Sequence, residues 1–123
     1  MTNAEFAEYF KNRTKQFSLR IIKCFQNLPK NEEARIVGKQ LLRSATSTAA
    51  NYRAVCRARS NAEFFSKLSI VVEEADESVF WLEILLESEI VKESEVTNAK
   101  SLLKEANEIL SVVASSRKTM KNG

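Results

Sequence analysis

Between Thr2 and Lys118 this chain meets one glycine, Gly38, and one proline, Pro29, while apolar residues recur every three or four positions almost without a break. Sheets need many tight turns, and tight turns draw on glycine, proline and asparagine. A chain this poor in breakers forms long helices joined by short polar connections. Apolar residues make up 44% of its 123 positions and charged ones 28%, enough for one buried core beneath a solvated surface. No Ser/Gly-rich or Pro-rich tract separates parts of the chain, so a single domain over residues 1–123 is expected.

Cap signals and periodicity place four helices near 3–27, 32–58, 61–88 and 93–118. Thr2-Asn3-Ala4-Glu5 has capping-box spacing, in which the threonine and glutamate side chains each satisfy a free backbone N–H. Behind it runs a seam of Phe6, Phe10, Thr14, Phe17, Ile21, Cys24 and Leu28, stopped by Pro29. Asn31 followed by Glu32 and Glu33 opens the second helix, where carboxylates favour the positive end of the helix dipole. Ser60-x-x-Glu63 repeats the capping-box spacing and starts the third, with seam Phe65, Leu68, Val72, Ala75, Val79, Leu82 and Leu86. The fourth carries Val96, Ala99, Leu103, Ala106, Leu110 and Val113. Alternating steps of three and four mean shallow crossing angles, and short connections make neighbours antiparallel. The expected fold is all-α, an antiparallel up-and-down four-helix bundle.

The second helix differs from the others. Ser44-Ala45-Thr46-Ser47-Thr48-Ala49-Ala50 sets seven small residues in a row. Two readings stand: tight packing within the chain, or a subunit interface in which Ser44, Ala45, Ser47, Thr48, Ala49 and Asn51 take part. Cys24 and Cys56 both lie in apolar-periodic segments and suggest buried free thiols rather than a disulfide framework. The first residues lack the basic-then-apolar pattern of a signal peptide, and no apolar run nears the ~20 residues of a membrane span. A cytoplasmic protein with no membrane partner is expected.

The sequence offers little for catalysis. It has no histidine, which removes Ser-His and Cys-His nucleophile pairs and the Glu-x-x-His ligands of di-iron bundles. It has no glycine-rich phosphate loop, and two cysteines 32 positions apart make no zinc site. Glu73-Glu74-Ala75-Asp76-Glu77 does match the Glu-Glu-x-x-Glu with which all-α nucleotide pyrophosphohydrolases hold magnesium. That family needs a second acidic pair on the next helix. Asp76 is the only aspartate, and Glu105-x-x-Glu108 is a poor substitute. No catalytic residue, metal site or cofactor is expected.

Charge is uneven although the net is only +3. Residues 60–89 hold eight carboxylates and one lysine, whereas residues 1–30 and 31–59 each hold six basic and two acidic side chains. Lys39, Arg43, Arg53, Arg57 and Arg59 gather on the second helix and its end. Arginine's planar fork suits phosphate oxygens, so these five are candidate nucleic-acid ligands. Internal ion pairs with the carboxylates of the third helix are the alternative.

The run Gln40-Leu41-Leu42-Arg43-Ser44-Ala45-Thr46-Ser47-Thr48-Ala49-Ala50-Asn51-Tyr52-Arg53-Ala54, with Cys56-Arg57-Ala58-Arg59-Ser60-Asn61-Ala62-Glu63-Phe64 after it, resembles the signature of the 23S rRNA intervening-sequence protein family, also labelled S23 ribosomal protein or four helix bundle protein. Glu73-Glu74-Ala75-Asp76-Glu77 and Trp81-Leu82-Glu83 resemble its next block, and the likeness spans roughly residues 5–115. Tyr52-Arg53-Ala54 departs from the Ile-Ala-Glu of many members and marks a subgroup. The resemblance implies a four-helix protomer, a ring of copies that is often a pentamer, and no catalytic residues. It also implies kinship with the accessory variability determinant of diversity-generating retroelements, which binds nucleic acid and works with a reverse transcriptase. The expected partners are other copies of the chain, RNA, or a protein such as a reverse transcriptase.

Overall fold

The computed structural model describes residues 1–122, with side chains through residue 120. Helices α1 (Asn3–Gln26), α2 (Glu32–Val55), α3 (Asn61–Glu87) and α4 (Val96–Asn122) are joined by short connections, the last of which includes a 3-10 turn at Glu93–Glu95. Each helix packs on its neighbours in chain order, and α4 closes back on α1. Side-chain pairs fix the directions. Ser18 meets Ala45 and Phe10 meets Tyr52 across α1 and α2, while Arg13 meets Glu105 and Arg20 meets Asn98 across α1 and α4. Numbers rise on one helix as they fall on the next, so the bundle is antiparallel and up-and-down.

The expected caps form at the starts of α1 and α2. Glu5 N–H donates to Thr2 Oγ1 at 3.1 Å, and Thr2 N–H donates to Glu5 Oε1 at 2.9 Å. Asn31 Oδ1 accepts from Ala34 N–H at 2.9 Å. At α3 only half of the expected box forms: Ser60 Oγ accepts from Glu63 N–H at 3.1 Å, and no return bond from Ser60 N–H to the Glu63 carboxylate accompanies it. The end of α3 carried no glycine signal, yet it closes as a Schellman turn. Glu89 takes a left-handed φ of 58°, Ile90 N–H reaches Leu85 O at 3.1 Å, and Glu89 N–H reaches Leu86 O at 3.2 Å.

All six residues of the α1 seam from Phe10 to Leu28 are buried. The α3 seam is buried at Leu68, Ala75, Val79 and Leu82, with Val71, Ser78 and Leu85 added and Val72 only half-buried. On α4 the seam shifts by one at two steps, because Leu102 and Ile109 face inward rather than Leu103 and Leu110. Gly38 is where α2 crosses the end of α1. A Cβ there would lie 2.7 Å from Leu28 Cδ1 and 2.9 Å from Phe25 Cδ1, so a larger residue would have to push these side chains aside.

The small-residue run packs on two sides. Ser44, Ala45 and Thr48 are buried; Ser18 Oγ bonds Ala45 O at 3.1 Å from α1, and Ser78 Oγ bonds Ser44 Oγ at 3.0 Å from α3. Thr46, Ser47, Ala49 and Asn51 are half-buried and Ala50 is exposed, so part of the run remains on the outer surface. Among the described residues no buried side-chain polar atom lacks a partner. Cys24 is buried as expected, but Cys56, just past the end of α2, is an exposed residue.

Candidate nucleic-acid interface

The five basic residues of the α2 segment do not form one patch. Arg43 turns to α3, donating to Glu74 Oε2 at 3.1 Å and to Glu77 Oε1. Trp81 Nε1 donates to the same Glu77 oxygen at 3.1 Å. Arg43's hydrogen bond, with help from Trp81, holds the Glu77 carboxyl below its ordinary range. Two carboxylates of the Glu-Glu-x-x-Glu run are therefore taken up by an internal cation. Among the described residues, no acidic or sulfur cluster has the geometry to hold a metal ion.

Lys39 is exposed on α2, fourteen residues and so about 21 Å of helix before Arg53. The expectation that α2 runs to residue 58 is corrected. The helix ends at Val55, and the chain tightens through Arg57 N–H to Ala54 O at 3.0 Å and Ala58 N–H to Val55 O at 3.1 Å. Arg57 and Arg59 stand exposed on the α2–α3 connection, past the carbonyl end of α2, where positive charge is favoured.

Arg53, in the last turn of α2, lies in a groove of about 510 Å³ between α1 and α2. Its walls are Glu8, Lys11, Asn12 and Lys15 from α1, and its α2 side is Ala49, Ala50 and Arg53. The small residues of α2 keep this groove open, since larger side chains there would fill it. Lys11 pairs with Glu8 at 2.8 Å, an exposed pair of little energetic weight. Lys15, Arg53, Arg57 and Arg59 form no ion pair among the described residues, in contrast with Arg43.

The other flank of α1 is opposite in character. Arg13 grips Glu105 with two bonds, 2.8 Å from Nε and 2.7 Å from a terminal nitrogen, and also reaches Glu108 at 3.3 Å. This bond lowers the Glu105 carboxyl and raises the guanidinium, with burial opposing both shifts. Arg20 donates to Ser101 at 3.0 Å and Asn98 at 3.4 Å. Cations facing α4 are partnered from across the bundle, whereas on the side facing α2 Lys15 and Arg53 have no ion pair and Lys11 has only Glu8 of its own helix.

Lys11 and Lys15 were not singled out from the sequence. They sit one position beyond Phe10 and Thr14 of the seam, which places them on a flank of α1. Whether that flank meets α2 or α4 depends on the hand of the bundle, and periodicity does not carry it.

Comparison with known proteins adds a family and a fold. The family model described as "23S rRNA-intervening sequence protein" matches residues 10–112. Among solved structures, the chain is similar to a protein of unknown function from the S23 ribosomal protein family of Bacteroides thetaiotaomicron. The two are 31% identical with a TM-score of 0.79, over 91% of this chain and 97% of that one. No match was found among curated proteins.

Proposed function

The chain belongs to the 23S rRNA-intervening sequence protein family, and from that premise we propose that it is a non-enzymatic, self-associating protein that binds RNA or another nucleic acid. The observation that carries the reading is the excess of cations around the α1–α2 groove, most of them without an ion pair. Lys15 and Arg53 line it unpaired beside Lys11, whose one partner is the exposed Glu8, and Arg57 and Arg59 continue the positive charge around the end of the bundle. Phosphates suit such a surface because cations with no internal partner lose little on binding them, and releasing counterions drives the association. The groove offers phosphate contacts without a set of base-edge readers, so binding of low sequence specificity is expected.

Self-association is supported by apolar side chains left at the surface. Leu19 on α1, Ile36 on α2 and Phe80 on α3 are each about half exposed. We take a second copy of the chain as the cover for these groups, with a pentamer as the first expectation. Ring symmetry would repeat the basic groove and raise the local potential beyond what one +3 subunit supports.

The test is fluorescence anisotropy with a labelled single-stranded RNA at low salt, using wild type and a Lys15→Ala/Arg53→Ala double variant. The wild type binds, and the double variant binds more weakly while melting and assembling as before. Equal affinity of the two proteins would remove the groove from the account.

A further inference from the structure

Resting on the nucleic-acid reading above, we propose that the apolar cavity at the end of the bundle, next to the basic groove, receives an unpaired base of a single strand. The cavity holds about 270 Å³ and opens between the start of α1, the end of α2, the start of α3 and the end of α4. Pockets for drug-sized ligands run from about 300 to 1,000 Å³, so this one suits a single flat ring rather than a large cofactor. Its walls include Phe6, Tyr52, Cys56, Phe64 and Leu68, with Asn3 and Ser116 as polar groups.

The aromatic walls divide into fixed and available ones. Tyr52 is only 8% exposed and stands edge-on to Phe10, with ring centroids 4.9 Å apart. Burial pushes its hydroxyl pKa up to about 12, so it stays neutral. Phe6 stacks on Phe10 at 5.7 Å with planes 9° apart, which covers one of its faces. The Phe6 ring is nonetheless only half-buried, as is Phe64. Every base has a π face, so stacking on such rings is tolerant of sequence, as the proposed function requires.

Charge identifies the occupant. Cys56 borders the cavity and faces the cations as well: burial pushes its thiol pKa up, Lys11 and Arg57 pull it down, and Glu8 opposes them. Arg53 follows Tyr52 directly and lines the groove. A strand whose phosphates rest on Lys11, Arg53 and Arg57 thus carries its bases past the mouth of the cavity. A single strand can turn a base inward there. A duplex offers the same phosphates but keeps its bases stacked and paired.

Cys56 supplies a probe in the unmodified protein, because the other thiol, Cys24, is buried at 3% exposure. Its alkylation by iodoacetamide is followed on the full chain alone and with three polyanions at low salt: oligouridylate, an abasic ribose-phosphate chain of equal length, and an RNA duplex. Binding is measured in parallel by anisotropy. The expected result is that all three bind and only oligouridylate shields Cys56, with a Kd about 5- to 100-fold below that of the abasic chain. Ser116→Phe, which fills the cavity from α4, should abolish that preference and leave duplex binding unchanged. Shielding by the abasic chain equal to that by oligouridylate, or none by bound oligouridylate, would overturn the cavity while leaving the basic groove intact. Failure of all three polyanions to bind would overturn both.

Discussion

Arg43 and Arg53 lie ten residues apart on one helix, yet their surroundings assign them to different tasks, and alanine substitution should separate the two. The Arg43 guanidinium bridges Glu74 and Glu77 across the α2–α3 contact. The arginine is 48% exposed, whereas Glu74 is only 18% exposed and Glu77 34%. An exposed ion pair contributes about 0.2–1 kcal/mol. Leaving the largely covered Glu74 without a cation adds to that loss, while Trp81 still holds Glu77 and limits it. The expected cost of Arg43→Ala is therefore about 1–2 kcal/mol, a fall in Tm of roughly 3–10 °C for a domain of this size. Arg53 has no ion pair to lose and is exposed, so Arg53→Ala should change stability by no more than about 0.5 kcal/mol. Binding should move the other way. Arg53→Ala removes one phosphate contact and flattens the salt dependence of single-strand binding by about 0.7 in log–log slope. Arg43→Ala should leave that slope unchanged. Thermal melts by far-UV circular dichroism and anisotropy titrations at several salt concentrations give both readouts. If Arg43→Ala lost binding at an unchanged Tm, or Arg53→Ala melted early and kept its affinity, the division of labour would be wrong.

The other expectations concern the core, acid stability and assembly. Leu82 is fully buried in the C-terminal part of α3, and Leu82→Ala should cost about 2–5 kcal/mol in denaturant unfolding, with the m-value unchanged. Arg13 lowers the Glu105 pKa, so this pair's stabilisation is complete above the ordinary glutamate pKa near 4.3 and is lost as pH falls through the depressed folded value. Wild type should lose about 1–2 kcal/mol more than Glu105→Gln between roughly pH 5 and pH 2, measured by urea melts across that range. Light scattering at micromolar concentration should give a multiple of the 14.0 kDa protomer, reduced by Ile36→Glu or Phe80→Glu; a monomeric wild type would refute the self-association.

How far the sequence carried each element depended on how many residues competed for one role. The α1 seam was legible residue by residue because Phe10, Thr14, Phe17 and Ile21 have mostly polar neighbours, so one face alone could be buried. On α4, Leu102 and Leu103 are adjacent, as are Ile109 and Leu110, and a step of three or four fits equally well. Packing against α3 and α1 together chose Leu102 and Ile109. The overrun of α2 had a similar origin. No glycine or proline lies between Val55 and Ser60, and the stop comes instead from 3-10 bonds and from Ser60 capping the next helix. For the candidate interface, the excess of positive charge was legible but its pairing was not. Arg43 found two carboxylates to pair with and Arg53 found none, an outcome set by the hand and register of the bundle.

If the cations of the α1–α2 groove bind nucleic-acid phosphates, the affinity of the wild-type protein for single-stranded RNA must fall as salt rises. Three contacts from Lys11, Lys15 and Arg53 predict that log Kobs falls linearly with log salt, with a slope of about −2 for each protomer engaged. A chain that binds no RNA at about 50 mM salt, or binds it with an affinity indifferent to salt, would contradict the account.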